Sequence, residues 1–258
     1  MKVLVTGYRG FIASYMVEAL RGHTIKVMDW QEDYPDVEGL DWVIHMGAIS
    51  STTERNVEKV MLQNYDFTTQ LYEDCKKHGV NMQFSSSASV YGLGTNFKED
   101  APVDPKTPYA WSKFMCEKYI QEHPGDITVQ MFRYFNVYGP QGEAHKGSQA
   151  SPFYQFEKQA VENGVINVFK NSAEYKRDFI HASEVANYHK KFFNVKKSGV
   201  FNIGEGKTMS FMDVAEQVAV KHKARINFIE MPEILKSSYQ AYTCADMTKT
   251  KEALYGTP

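Results

Sequence analysis

The sequence predicts an α/β fold: a doubly wound parallel sheet followed by a smaller, mixed α/β part. Three observations carry this. In the first half, short apolar runs alternate with helical stretches, the pattern of a parallel sheet covered on both faces. A turn with two glycines, Gly7-Tyr8-Arg9-Gly10, joins the first run to the first helical stretch. Past Tyr138 the texture changes: Gly139-Pro140-Gln141-Gly142-Glu143-Ala144-His145-Lys146-Gly147-Ser148 is a long polar loop with strong turn chemistry.

The elements follow in order. Lys2–Thr6 is an apolar, β-branched run and reads as a buried strand, and Phe11–Arg21 as a helix. Ile25–Met28 and Trp42–Met46 are the next strands. From Val57 to Lys77 apolar residues recur at 57, 60, 61, 65, 71 and 72, a helical period. Met82–Ser86 follows as a strand, Tyr109–Glu122 as a helix stopped by Pro124, and Thr128–Arg133 as another strand. Beyond the polar loop come strands around Val168 and at Val200–Ile203. Helices are expected near Phe153–Asn163, Ser183–Val195 and Ser210–His222, with Ser210 suited to an N-cap.

Composition removes several classes. The 258 residues carry 29 basic and 31 acidic side chains, a net charge of −2, so nothing favours nucleic acid. No apolar run approaches the roughly 18 residues of a membrane helix, and the apolar stretch at the N-terminus is too short for a signal peptide. Cys75, Cys116 and Cys244 have no CxxC spacing and read as reduced thiols; no metal-binding spacing of His, Cys and carboxylates occurs. These features describe a soluble, cytoplasmic protein. His45, after an apolar strand, reads as a hydrogen-bonded core histidine.

The glycine turn has a specific chemistry. Glycine is needed where backbone N–H groups at a helix N-terminus approach a pyrophosphate. Gly7, Arg9, Gly10, Phe11 and Ile12 are therefore candidate cofactor contacts, with Ala13 in place of a third glycine. Asp29 ends the second strand, 19 residues past Gly10, where a carboxylate would bind an adenine-ribose hydroxyl. Residues 1–138 thus read as a Rossmann-like dinucleotide-binding domain and 139–258 as a substrate-binding part, interleaved with the first near 168–203. Tyr109 and Lys113 lie four apart on one helix face, an arrangement in which an ammonium favours a phenolate. Ser87, closing the strand before them, offers a hydroxyl to a reacting oxygen.

Together these blocks resemble the extended short-chain dehydrogenase/reductase family that acts on nucleotide sugars: VTGYRGFIAS, SSSASVYG, YAWSK, RYFNVYGP, KRDFIHASEVA and FNIGEG, in family order. Within it, HMGAISSTTE, QNY, HKGSQAS and SYQAYTCAD are most similar to the ADP-glycero-manno-heptose 6-epimerases. The resemblance implies Tyr109 as catalytic acid/base, Lys113 as its electrostatic partner, Ser87 as the hydroxyl on the reacting oxygen, and Lys146 as a second base. It implies Asn64 in the cofactor pocket, and Asn136, His145, Arg177 and Tyr239 at the substrate. It also implies a homodimer through the helices at Val57–Lys77 and Tyr109–Glu122. Related dehydratases and decarboxylases carry carboxylates where this chain has Ala88, Ser89 and Val90, which disfavours those reactions. A UDP-hexose 4-epimerase, a keto-sugar nucleotide reductase and a non-catalytic nucleotide-sugar binder stay as alternatives.

Two departures stand out. Only the 12 residues from Trp30 to Asp41 separate Asp29 from the next strand, too few for the family's extra strand and helix. Gln31-Glu32-Asp33-Tyr34-Pro35 is expected to line the adenine side instead. The sequence also ends soon after Leu254-Tyr255-Gly256, where relatives continue into a further helix. Asp29 would repel a 2′-phosphate and so favours NAD. Arg9 offers a 2′-phosphate partner, and the heptose epimerases use NADP; the balance tips slightly to NADP.

Overall fold

The computed structural model describes residues 1–233 and 239–256. The SYQAYTCAD block therefore begins, at Ser238, outside the described residues. Six strands form one parallel sheet: β1 (Lys2–Thr6), β2 (Thr24–Met28), β3 (Trp42–His45), β4 (Asn81–Ser87), β5 (Val129–Tyr134) and β10 (Gly199–Ile203). Their order is β10-β5-β4-β3-β1-β2. The chain steps from β1 outward to β2, then returns to the other side of β1 with β3. That reversal opens a crevice above the strand ends, where ligands of open α/β sheets bind.

Helices cover both faces. On one side α1 (Phe11–Ala19) packs with α6 (Ala182–Phe192), burying Met16, Leu20 and Ala186 against Val3, Val5 and Ile44. On the other, α3 (Phe67–His78) and α4 (Pro108–Glu122) bury Leu71, Tyr72, Cys116 and Ile120 against Leu4, Val43, Met82 and Met131. The 12-residue connection is an irregular loop, and it still buries Val37 and Leu40 in this second layer. β2 is consequently the edge of the sheet, as the short connection predicts.

The helix expected over 57–77 is not uniform. α2 (Val57–Val60) runs through a π turn, Met61–Asp66, into α3. The extra residue of such a turn re-aims a side chain, and here it turns Asn64 into the protein.

The C-terminal elements make a smaller layer. β7 (Val165–Phe169) pairs in parallel with β12 (Arg225–Ile229), covered by α5 (Pro152–Asn163) and α7 (Phe211–His222). The strand near Val168 thus belongs to this layer, whereas β10 crosses back to extend the main sheet. Ser210 caps α7 in a reciprocal capping box with Asp213, as its position predicts. Short pairs, β6 (Asn136–Tyr138) with β9 (Phe179–His181) and β8 (Lys176–Arg177) with β11 (Met209–Ser210), join the two layers. A last helix, α8 (Thr248–Tyr255), packs on β10. Among the described residues, no helix is long and apolar enough to cross a membrane, and no group of three His, Cys, Asp or Glu could hold a metal.

Candidate active site

A cavity of about 1010 Å³ lies over the ends of β1 to β5. Its first wall is the glycine turn. Gly7 has φ +68°, and a Cβ there would lie 2.5 Å from the Cα of Gly47, which follows β3. The two backbones touch because neither has a side chain. Gly10 stands at the N-cap of α1 with no side-chain cap, so the first amides of the helix remain available to an anion. Ala13 is buried against the sheet, the packing role of a third glycine.

Behind this wall runs a directed chain of hydrogen bonds. Thr6 Oγ1 accepts from the N–H groups of Met46 and Gly47, each 3.2 Å. Its own proton goes to His45 Nδ1 at 2.6 Å. His45 Nε2 then donates to Thr68 Oγ1 at 2.8 Å, because the Thr68 hydroxyl is itself donated to the Asn64 carbonyl. Burial, with Lys113 nearby, pushes the His45 pKa down to about 3, so the ring is neutral and is the core histidine its position suggests. The Asn64 amide is committed too: it accepts from Ile49 N at 2.7 Å and donates to Ile49 O at 3.0 Å and Ser112 Oγ at 2.9 Å. Asn64 does not line the cavity; it holds the loop that does. Each polar atom of the amide thus has a protein partner.

Ser87 and Tyr109 both line the cavity, and the Ser87 hydroxyl is close enough to influence the phenol. Thr107 caps α4 and Pro108 opens it, which fixes Tyr109 in the first turn. Burial raises the phenol pKa, and the Ser87 hydroxyl opposes that rise. Lys113 lies behind the lining, 3% exposed, its Nζ 4.7 Å from the Phe84 ring centroid and 6.0 Å from that of Tyr109. Burial pushes its own pKa down to about 8, against the pull of Cys116 and Glu117. The lowering of the phenol that the four-residue spacing predicts is therefore overruled by desolvation in this form of the protein.

One turn further along α4, Glu117 forms a buried ion pair with Arg133 of β5, Nη2 to Oε2 2.6 Å, and accepts from the Ser86 hydroxyl. Ser85, Ser86 and Ser87 all line the cavity, so this pair anchors the strand end that presents them.

The opposite side comes from the C-terminal part. Lys146 lines the cavity 5.1 Å from the Phe11 ring centroid. Burial lowers its pKa, with Glu143, 3.8 Å away, acting in the other direction. Glu143 is fully buried and was not evident from sequence. It accepts from Gly139 N, Ser151 N and Ser151 Oγ at 3.1, 2.5 and 2.7 Å, closing the polar loop on itself. Gln149 is a second such residue: it bonds Ser51 Oγ, Thr53 Oγ1 and Thr52 N across the cavity mouth. Only pairing in space reveals either.

Arg177 and Tyr239 come together, the guanidinium 5.4 Å from the Tyr239 centroid and equally close to Phe211. Burial lowers the Arg177 pKa, opposed by Tyr239. Asn136 and exposed His145 also line the cavity, as do Arg9, Phe11, Ile12 and Asp29. Of the segment Gln31–Pro35, none lines it. Tyr34 turns away onto Phe67 and Asp74, and Trp30 takes the place on the wall.

The fit to a dinucleotide is good: an uncapped helix N-terminus, two glycines in backbone contact, and a carboxylate at the end of β2. A switch-point cavity of this kind beside a Ser–Tyr–Lys set defines a dinucleotide-dependent α/β enzyme. The chain belongs to the NAD dependent epimerase/dehydratase family, whose model matches residues 3–204.

Solved structures agree on the fold. A UDP-N-acetylglucosamine 4-epimerase from Methanobrevibacter ruminantium M1, in complex with UDP-N-acetylmuramic acid, is 25% identical. That match covers 100% of this chain and 92% of that one, with a TM-score of 0.87. ADP-L-glycero-D-manno-heptose-6-epimerase of Helicobacter pylori is 24% identical, covering 100% and 91%, with a TM-score of 0.86. A UDP-glucose 4-epimerase of Thermus thermophilus, in complex with NAD, is 24% identical, covering 96% and 91%, with a TM-score of 0.79.

Proposed function

We propose that this protein is a nucleotide-sugar epimerase that works through a transient ketone. Bound NAD(P) supplies the chemistry of removing and returning a hydride, so the net reaction is redox-neutral. Gly7, Gly10, Phe11 and Ile12 hold the pyrophosphate side and Asp29 the adenosine ribose. Tyr109 takes and returns the proton of the reacting hydroxyl, and Ser87 holds the same oxygen by hydrogen bond. Lys113 supplies positive charge behind the phenol. Arg177 and Tyr239 bind the nucleotide diphosphate and its base, and Asn136 and His145 the sugar.

One observation carries the choice of epimerisation over dehydration. Among the described residues lining the cavity, Asp29 is the sole carboxylate. It directly follows β2, which is separated from β4 and its Ser87 by β1 and β3, roughly 14 Å of sheet. Among the described residues lining the cavity, no acid stands near Tyr109 to expel water from a sugar. Lys146, lining the same cavity and partly desolvated, is the second titratable group that proton traffic on two faces of a ketone requires.

The preferred substrate is an ADP-heptose inverted at its exocyclic C6, by likeness of the HKGSQAS and SYQAYTCAD blocks. Inversion at C4 of a UDP-hexose is the second reading, favoured by the two 4-epimerases of the same fold. Exposed Val57, Leu62, Trp111 and Met115 on α2, the π turn and α4 support a homodimer through those helices. The deciding experiment follows ADP-glycero-manno-heptose and UDP-galactose by NMR with the purified protein. Inversion without accumulation of reduced cofactor supports the proposal. Lasting NAD(P)H consumption, loss of water, or no conversion of either sugar would overturn it.

A further inference from the structure

We propose that Glu32, supplied by the shortened connection after β2, makes this protein selective for NAD over NADP by disarming Arg9. The proposal rests on the reading of the glycine turn and Asp29 as the adenosine side of a dinucleotide site. A 2′-phosphate brings nearly two negative charges and is bound best by an arginine fork. Arg9 is the cation of the glycine turn and lines the cavity; its place in that turn, with the NADP use of the heptose epimerases the sequence resembles, is what tips the expectation toward NADP.

In the structure that guanidinium is already taken. Arg9 Nη2 lies 3.1 Å from Glu32 Oε1, and Nε donates at 3.1 Å to Tyr8 OH, which itself donates to Glu32 Oε1 at 3.3 Å. The other carboxylate oxygen, Oε2, accepts the N–H of Asp29 at 3.0 Å, and Glu32 N returns a bond to Asp29 O at 2.9 Å. Glu32 is thus pinned in a tight turn directly against Asp29. Two carboxylates and one arginine leave a formal charge of −1 where a phosphate would have to settle. A ribose with both hydroxyls free meets the opposite situation. Asp29 Oδ1 is engaged with Trp30 N, while Oδ2 accepts no hydrogen bond from the described residues and can receive a hydroxyl.

A chain with a full strand and helix in this place would not need to turn back three residues after Asp29. The selectivity is in this sense a product of the shortening. Arg9 and Glu32 are both partly exposed, with side chains 60% and 35% accessible, so the fold does not depend on either.

Calorimetric titration with NAD⁺ and with NADP⁺ at one ionic strength tests this on the full chain, Arg9→Ala, Glu32→Gln and the double variant. The wild-type protein should bind NAD⁺ at least about 30-fold more tightly than NADP⁺. Arg9→Ala should change NADP⁺ affinity by less than about threefold, because the guanidinium is already committed. Glu32→Gln should raise NADP⁺ affinity by about tenfold while leaving NAD⁺ nearly unchanged, and the gain should vanish in the double variant. Equal binding of the two dinucleotides by the wild type would overturn the proposal and leave the site reading intact. So would an unaltered ratio in Glu32→Gln. Binding of neither dinucleotide would overturn the site reading and the proposal with it.

Discussion

Replacing Glu117 by glutamine would test how the strand end beneath the site is held. Glu117 and Arg133 are 1% and 4% exposed. The carboxylate receives Arg133 Nε at 3.0 and 3.2 Å, Nη2 at 2.6 Å and the Ser86 hydroxyl. Burial disfavours the Arg133 charge, but the hydrogen bonds and charge of Glu117 more than offset this and raise its pKa. A guanidinium is not deprotonated in proteins, so Arg133 stays charged when the carboxylate is removed, and its remaining supports are the Glu99 carbonyl at 3.3 Å and the Tyr91 ring 4.7 Å away. Leaving one buried partner uncompensated costs about 3–5 kcal/mol. At about 2–4 °C per kcal/mol for a chain near this size, the midpoint of thermal unfolding should fall by about 6–20 °C. Equilibrium urea unfolding followed by circular dichroism, with melts in parallel, measures both. Glu117→Met with Arg133→Met should recover most of the loss, since no charge is then buried alone. A cost under about 1 kcal/mol for the single variant, or a double variant worse than the single, would refute the reasoning.

Three further outcomes are expected. Tyr109→Phe should lower turnover by about 10²–10⁴-fold with dinucleotide affinity unchanged; activity near wild type would remove Tyr109 from the chemistry. Gly7→Ala should cost at least about 2 kcal/mol and abolish dinucleotide binding, because a backbone-to-backbone contact cannot yield and φ is positive; urea unfolding and titration check this. Lys113 gives a pH signature. Its cationic form is disfavoured in the fold, from 10.5 to about 8, a penalty of about 3 kcal/mol that is fully present below pH 8. Between pH 8 and 10.5 the unfolded chain holds more protons at this group, so its contribution to stability rises with pH. The advantage of Lys113→Met over wild type should therefore shrink by about 2 kcal/mol between pH 7 and 10, and a flat difference would contradict the burial argument.

Much of the sheet was legible because its central strands are buried on both faces and carry continuous apolar stretches, Val3-Leu4-Val5 and Trp42-Val43-Ile44 among them. The missing strand beyond β2 was legible as well, since chain length alone forbids it. Local periodicity could not show the π turn at Met61–Asp66, which exists to aim Asn64 at partners 15 and 48 residues away. Nor could it show that Glu32 would find Arg9, or that Glu143 would knot the polar loop; both are carboxylates in polar stretches until folding gives them neighbours. The sequence expectation for Tyr109 and Lys113 placed the pair correctly on α4 but left out the desolvation that both groups meet there.

The chain from Thr6 through His45 to Thr68 has one further consequence. Each proton in it has a single direction, because it starts at two backbone amides that cannot accept and ends at a carbonyl that cannot donate. No link can reverse without stranding another, so the imidazole is locked in one tautomer. From about pH 4 upward this wall is electrically silent toward the cavity. Any inflection in a rate profile over the physiological range therefore reports on other groups, such as Lys146 or the Tyr109–Lys113 pair, and the profile can be interpreted without the most conspicuous histidine of the site.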